Sequence, residues 1–325
     1  MPLATQIATY NAAQQELYTT HQQLVARYTD TRFGMRAMDM ELETKLTQVE
    51  RTMLANPPYY EERDDAGQPT GVWQQRRPGL LLPEQSPLTP EAREELFGSP
   101  APLSAASWPR GDFAVIPQRD WADYLTGQDA VDLASMVKVI LSQGSVGSCG
   151  SEGLTQALMI SRAFSSQEHE TLNPWFMYHT TSGGSDRGSS LPDNVQFAMK
   201  YGVASEVVWP RSKGWRATPS EGAYTDAKKY ALLELYQVRN WEEFGTALLS
   251  GWPVYFGYSG HAIVAVKLLS TSRFVYANSW SAEWGDKGFG TLNNSSIYWP
   301  YGAYAIRVVV RRSEASEAGS VATSA

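Results

Sequence analysis

Disulfides are excluded at the outset, because Cys149 is the only cysteine among 325 residues. A chain of this length without cystines fits a reducing compartment of synthesis. Positive charge is also scarce: Lys and Arg number 27 against 34 Asp and Glu, for a net charge of −7. That balance argues against nucleic acid as a partner, since sequence-independent binding needs a basic face. No uncharged apolar run approaches 18 residues, so neither a membrane-spanning segment nor a membrane partner is expected. The opening MPLATQIATY has no basic stretch leading into an apolar one, and no secretory signal is expected from it. The reading is of a soluble protein, cytoplasmic or carried by a particle. Four scattered histidines suggest no metal cluster. No internal repeat is visible.

What is present divides the chain. Residues 1–54 read as helical, with Ile7, Tyr10, Leu17, Leu24, Tyr28, Met35, Met38, Leu42 and Val49 close to a repeat of seven and Gln14 and His21 in the same stripe. This fits a coiled coil, a helical hairpin bent near residues 30–34, or an amphipathic helix packed on the rest of the chain. A coil would offer a homo-oligomer or a larger assembly through residues 4–54. Residues 55–110 hold ten of the 18 prolines and read as a linker or extended strap, with one short helix at 89–97 capped by Thr89. Residues 111–311 read as one α+β domain, helices first and strands later. A turn enters a helix at 147–163. Further helices are expected at 192–201 and 227–235, and strands at 252–258, 261–269, 273–277 and 303–310. The small polar residues 312–325 read as a disordered tail.

The chemistry gathers on three segments. A cysteine nucleophile needs a base, a group that orients the base, and donors for the developing oxyanion. In Gln143-Gly-Ser-Val-Gly-Ser-Cys149 the glycines permit a tight turn and Cys149 opens a helix, whose positive end favours thiolate. Gln143 can bring its side-chain amide beside the Cys149 N–H. His261 begins one expected strand and Asn278 follows the next. Antiparallel pairing would set the Asn278 amide on one imidazole nitrogen and leave the other for Cys149. Trp280 can cover that contact and exclude water. His21, His169 and His179 lack such surroundings and read as structural.

QGSVGSCGSEGLTQAL resembles the active-site segment of the papain family of cysteine peptidases, and HAIVAV with ANSWSAEWGDKGFGTL resembles its histidine and asparagine segments. The resemblance covers residues 111–311. It implies a papain-like fold of two subdomains, one helical and one of antiparallel strands, with a cleft between them. It further implies peptide-bond hydrolysis through a thioester, with a peptide or protein as substrate and no cofactor. By the same resemblance Gln143 is the oxyanion donor, Cys149 the nucleophile, His261 the general acid and base and Asn278 the orienter. Gly188-Ser189-Ser190 corresponds to the segment whose backbone pairs with extended substrate, and Ala262 and Trp280 are expected beside substrate too. In that family a helical prosegment ends in an extended stretch that blocks the cleft. Residues 1–110 have that order, although the usual prosegment helical signature is not recognisable.

Departures from the family pattern put specificity in question. Val146 stands where secreted members have a cystine. Gly150 replaces a bulky aromatic and is expected to open space beside the nucleophile. Glu152 brings a carboxylate that would oppose thiolate formation. The chain runs from Val254 almost directly to His261, without the long excursion that helps build a specificity pocket. Two other functions stay open at this level. One is a non-catalytic structural module of a larger assembly, such as a virion component. The other is a peptidoglycan-cleaving cysteine amidase.

Overall fold

A computed structural model describes residues 3–32, 40–63, 68–98, 114–126 and 130–307. The expected tail at 312–325, the stripe positions Met35 and Met38 and the last part of the proline-rich segment lie outside them.

The helical subdomain forms around α5 (Cys149–Phe164), buried continuously from Cys149 to Ser161. α6 (Pro174–Thr181) and α7 (Leu191–Tyr201) pack against it; Asn173 and Ser190 cap them by accepting from the Trp175 and Asp193 N–H groups. The short α8 (Glu221–Ala227) buries Ala223 and Ala227 in the same core, whereas Trp121 of α4 (Trp121–Thr126) lies in the core of the second subdomain. The expected helix at 227–235 is not formed. α8 ends at Ala227, and after one 3-10 turn the chain is extended as β5 (Glu234–Gln237). The reason is tertiary: Leu232 and Leu235 are buried in the central core, and the Leu232 N–H donates to the Ala198 carbonyl of α7 at 3.0 Å.

The second subdomain is a six-stranded sheet in the order β5-β10-β6-β7-β8-β9, antiparallel throughout. Its other strands are β6 (Val254–Tyr258), β7 (His261–Leu268), β8 (Arg273–Ala277), β9 (Phe289–Asn293) and β10 (Ala303–Arg307), with α9 (Trp241–Leu249) packed on β7. Continuous apolar runs suit β6 and β7, which are covered on both faces by α5 and α9. The direct passage from β6 to β7 is a two-residue turn, with positive φ at Ser259 (45°) and Gly260 (80°). That conformation joins the strands without an excursion.

The N-terminal helices are α1 (Leu3–Arg32) and α2 (Met40–Ala55). Leu24 and Tyr28 meet Leu42 and Leu46, while Tyr18 meets Met53 and Leu54, so the two run antiparallel as a hairpin. Of the described stripe positions, Leu24, Tyr28 and Leu42 are buried in the contact between the two helices. Gln14 and His21 are buried, and the His21 Nε2 hydrogen-bonds Thr291 of β9 at 2.9 Å. Arg273 of β8, fully buried, donates to Glu50 and, at 2.7 Å, to Glu43, both on α2. Thr291 donates to Glu50 from the same side. A buried ion-pair network thus fastens the hairpin to the β8–β9 edge.

The proline-rich segment is more ordered than its composition implies. β1 (Tyr59–Arg63) and β2 (Pro69–Gln75) form an antiparallel ribbon. After them residues 76–79 lead into β3 (Leu80–Leu81), which pairs in parallel with β4 (Ser189–Ser190). The helix expected at 89–97 is α3 (Pro90–Phe97), capped by Thr89. Arg93 binds Asp193 of α7 at 2.8 Å and the Tyr201 hydroxyl donates to the Leu96 carbonyl, which clips the strap to the helical subdomain.

Candidate active site

Cys149 opens α5 and His261 opens β7, and no hydrogen bond joins their side chains among the described residues. Cys149 is completely buried at the first turn of α5. Main-chain N–H groups of Ala262, Gly79 and Gly150 act on its sulfur, and the Gly79 N–H donates to Sγ at 3.3 Å. Burial nevertheless prevails and pushes the thiol up to about 11.

On the sheet side, β7 and β8 pair with Val264 opposite Ala277, which carries Asn278 toward the start of β7. The His261 Nε2 lies 2.7 Å from the Asn278 Oδ1. That oxygen also accepts the Ser279 N–H at 2.8 Å, so the amide is held with its oxygen toward the ring. A carbonyl oxygen only accepts; the hydrogen therefore sits on Nε2 and the Nδ1 lone pair is left free. No protein group hydrogen-bonds Nδ1 among the described residues. The Trp280 ring stacks on His261 with centroids 4.7 Å apart. Burial pulls the imidazole down to about 4, Asn278 opposes this, and the Arg76 charge adds to it.

Gln143 is buried, and its Oε1 accepts from the Ser279 hydroxyl at 2.8 Å. Its Nε2 donates to the Val146 and Arg77 carbonyls, both at 2.9 Å. Ser189 and Ser190 pair by backbone with an extended segment, and that segment is Leu80–Leu81 of this chain. The space expected beside Gly150 is filled: a Cβ there would lie 2.6 Å from the Asn194 Nδ2 and 2.9 Å from the Ser189 Oγ. The Glu152 carboxylate does not act alone on the thiol either. Arg211 binds it at 2.6 Å and Ser148 donates to it at 3.1 Å. Arg211 also donates to the Ser142 carbonyl at 2.7 Å, tying α5 to the residue before Gln143.

The cleft itself contains residues 76–81. Besides the Gly79 contact with sulfur, the Ser189 N–H donates to the Gly79 carbonyl at 3.0 Å and the Leu80 N–H to the Gly260 carbonyl at 2.9 Å. A Cβ on Gly79 would lie 1.9 Å from the Gly147 carbonyl oxygen, so only glycine fits this close approach of backbones. Reading the sequence missed Arg76, Arg77 and Gly79 as site residues. The only local signal was Arg-Arg-Pro-Gly followed by three leucines inside the proline-rich strap.

These ionisations give the folded arrangement around Cys149 and His261 a bounded pH range. Cys149 has its value raised from 9.0, so the stability of its neutral burial is present below pH 9 and lost from 9 to about 11. His261 is lowered from 6.5, so its contribution is present above pH 6.5 and lost as pH falls toward 4. The acid loss is on the order of 3 kcal/mol for a fully buried imidazole. Melting temperature followed from pH 7.5 to 4.5 should fall more steeply for the wild type than for His261→Gln. Parallel curves would disprove the assignment.

The two-subdomain α+β architecture with the cleft at their junction is the papain-like fold. No family model matches the sequence, and no curated protein sequence matches it. Among solved structures, digestive procathepsin L 3 of the Tenebrio molitor larval midgut is similar in fold at 13% identity, with a TM-score of 0.51, over 95% of this chain and all of that one. Xylellain, a cysteine protease from Xylella fastidiosa, aligns at 22% identity and a TM-score of 0.48 over 55% of this chain and 86% of that one. Among the described residues no helix is long and apolar enough to cross a membrane.

Proposed function

We propose that this chain is a cysteine peptidase kept latent by its own residues 76–81. The observation that carries the reading is the hydrogen bond of the His261 Nε2 to Asn278, which leaves Nδ1 without a hydrogen-bond partner among the described residues and available as a base. In the proposed mechanism Nδ1 takes the Cys149 proton and the thiolate attacks a peptide carbonyl. The Cys149 N–H and the Gln143 amide stabilise the oxyanion, and His261 returns the proton to the leaving amine. Water then hydrolyses the thioester with the same base. Ser189, Ser190 and Ala262 line the path of the peptide backbone, and Trp280 keeps water from the His261–Asn278 bond.

Latency follows from what the cleft holds. An N–H rather than a carbonyl carbon faces the sulfur, so Gly79 occupies the nucleophile without offering it a bond to cleave. The Gln143 donor meets the Arg77 carbonyl. The fold likeness to a procathepsin spans 95% of this chain and therefore extends into the N-terminal region. We read residues 1–54 as the anchor of this inhibitory segment, a prosegment-like role, rather than as a free coiled-coil tether.

A peptidyl probe bearing a thiol-reactive group tests the reading. After proteolytic removal of the strap, Cys149 should be labelled and peptides turned over, with both reduced about 1,000-fold or more in His261→Ala. Equal labelling of wild type and His261→Ala would mark a merely exposed thiol and support a binding module instead.

A further inference from the structure

A cavity of about 440 Å³ lies between α2, the strap and the imidazole, walled by Arg51, Arg76, Tyr258, His261 and Trp280. Its size is that of a small-molecule site rather than of a packing void. No Asp or Glu is among its lining residues, whereas α2 supplies Arg51 and the strap supplies Arg76 and Arg77. The three differ in what they already hold. Arg77 is spent on Asp186, 2.9 Å away. Arg51 is exposed.

Arg76 is the anomaly. It is 5% exposed, and among the described residues its fork donates only two long hydrogen bonds, at 3.4 Å, to the Ser142 and Ser281 hydroxyls. Its Nε has no hydrogen-bond partner among the described residues, and the face of Tyr60 lies 5.2 Å from its centre. Glu283 and Glu152 act on it only at a distance. Burying a guanidinium without a hydrogen-bonded anion is costly, and arginine is otherwise the cation best matched to phosphate oxygens.

We propose that this cavity is a binding site for a small phosphate-bearing anion held between Arg51 and Arg76, and that its occupancy locks the strap in the cleft. A phosphate offers at least three charged or polar oxygens in a tetrahedral spread and so serves two guanidinium groups at once more readily than the two coplanar oxygens of one carboxylate. Trp280 and Tyr258 add apolar walls for the rest of the molecule. Arg76 leaves with the strap, so the ligand recognises the closed form alone and shifts the equilibrium toward it. A ligand at 100 times its dissociation constant lowers the open population about 100-fold. The locking role rests on the latency proposed above; the binding does not.

Inorganic pyrophosphate is the probe. Titrated calorimetrically into full-length Cys149→Ser at constant ionic strength, it should bind saturably at one site, at least tenfold more weakly in Arg51→Gln and in Arg76→Gln. Circular dichroism establishes that each variant is folded, and Arg51→Gln, on the exposed side of α2, decides if Arg76→Gln does not fold. Absence of saturable binding, or binding unchanged in the folded variants, overturns the site. In the wild type, alkylation of Cys149, the only thiol, should slow about 100-fold at saturating pyrophosphate and not in Arg51→Gln. Binding without slowing overturns the lock. A full-length enzyme already fully active without ligand, while Cys149→Ser still binds pyrophosphate, would instead sink the latency reading and leave the site standing.

Discussion

Gly79→Ala should turn the full-length chain from a slow to a fast-reacting thiol. The added methyl would sit 1.9 Å from the oxygen and 2.4 Å from the carbon of the Gly147 carbonyl, and both are backbone atoms that cannot rotate away. Overpacking of this kind costs about 1–3 kcal/mol or more. That cost falls on the docked strap, since Gly147 belongs to the turn that sets Cys149. Each 1.4 kcal/mol is tenfold in the open population. Alkylation of Cys149 and turnover of a peptide substrate should therefore both rise about ten- to 100-fold without any cleavage of the chain. Gly222→Ala is the control, because a Cβ there meets nothing closer than 3.8 Å. An unchanged alkylation rate in Gly79→Ala would mean that the strap does not limit access to the nucleophile.

The second large effect is expected at Arg273→Met. Arg273 is fully buried and holds Glu50, itself 2% exposed, together with Glu43. Removing the guanidinium leaves the Glu50 carboxylate in the interior with only the Thr291 hydroxyl to donate to it. Breaking a buried pair from one side costs about 3–5 kcal/mol, far more than the net worth of the pair. Because the network joins α2 to β8, the hairpin should undock before the sheet unfolds. The measurements are a melting temperature lower by several degrees and early proteolysis between the helices. Glu50→Gln combined with Arg273→Met should recover part of the loss, since the fully buried charge is then gone and only the partly exposed Glu43 has lost its partner. Additive losses in the double variant would show that the two residues act independently.

What could be seen beforehand divides along sequence separation. Cys149, His261 and Asn278 each sit in a short local pattern, and two adjacent antiparallel strands suffice to bring the last two together. The tight β6–β7 turn was legible for the same reason. The helix expected at 227–235 failed because a pattern that suits a helix equally suits an extended segment whose leucines a neighbouring core can bury. Nor did spacing reveal that Gly150 faces Asn194 and Ser189, or that Arg211 neutralises Glu152 from 59 residues away. The link from Glu50 to Arg273 spans 223 residues, and no local rule anticipates it. Proline content marked residues 55–110 as extended but carried no information about where the extension goes.

The orientation of Gly79 has a consequence for time course rather than for structure. With an amide hydrogen against the sulfur, a molecule in the proposed latent state would not cut the segment that covers it. Under the proposed latency the first cut would come from another molecule that is already open, and activation would be second order in protein. A dilute preparation should stay silent for long periods, and a concentrated one should show a lag followed by acceleration. Local concentration, rather than any property of a single chain, would then set when the peptidase becomes active.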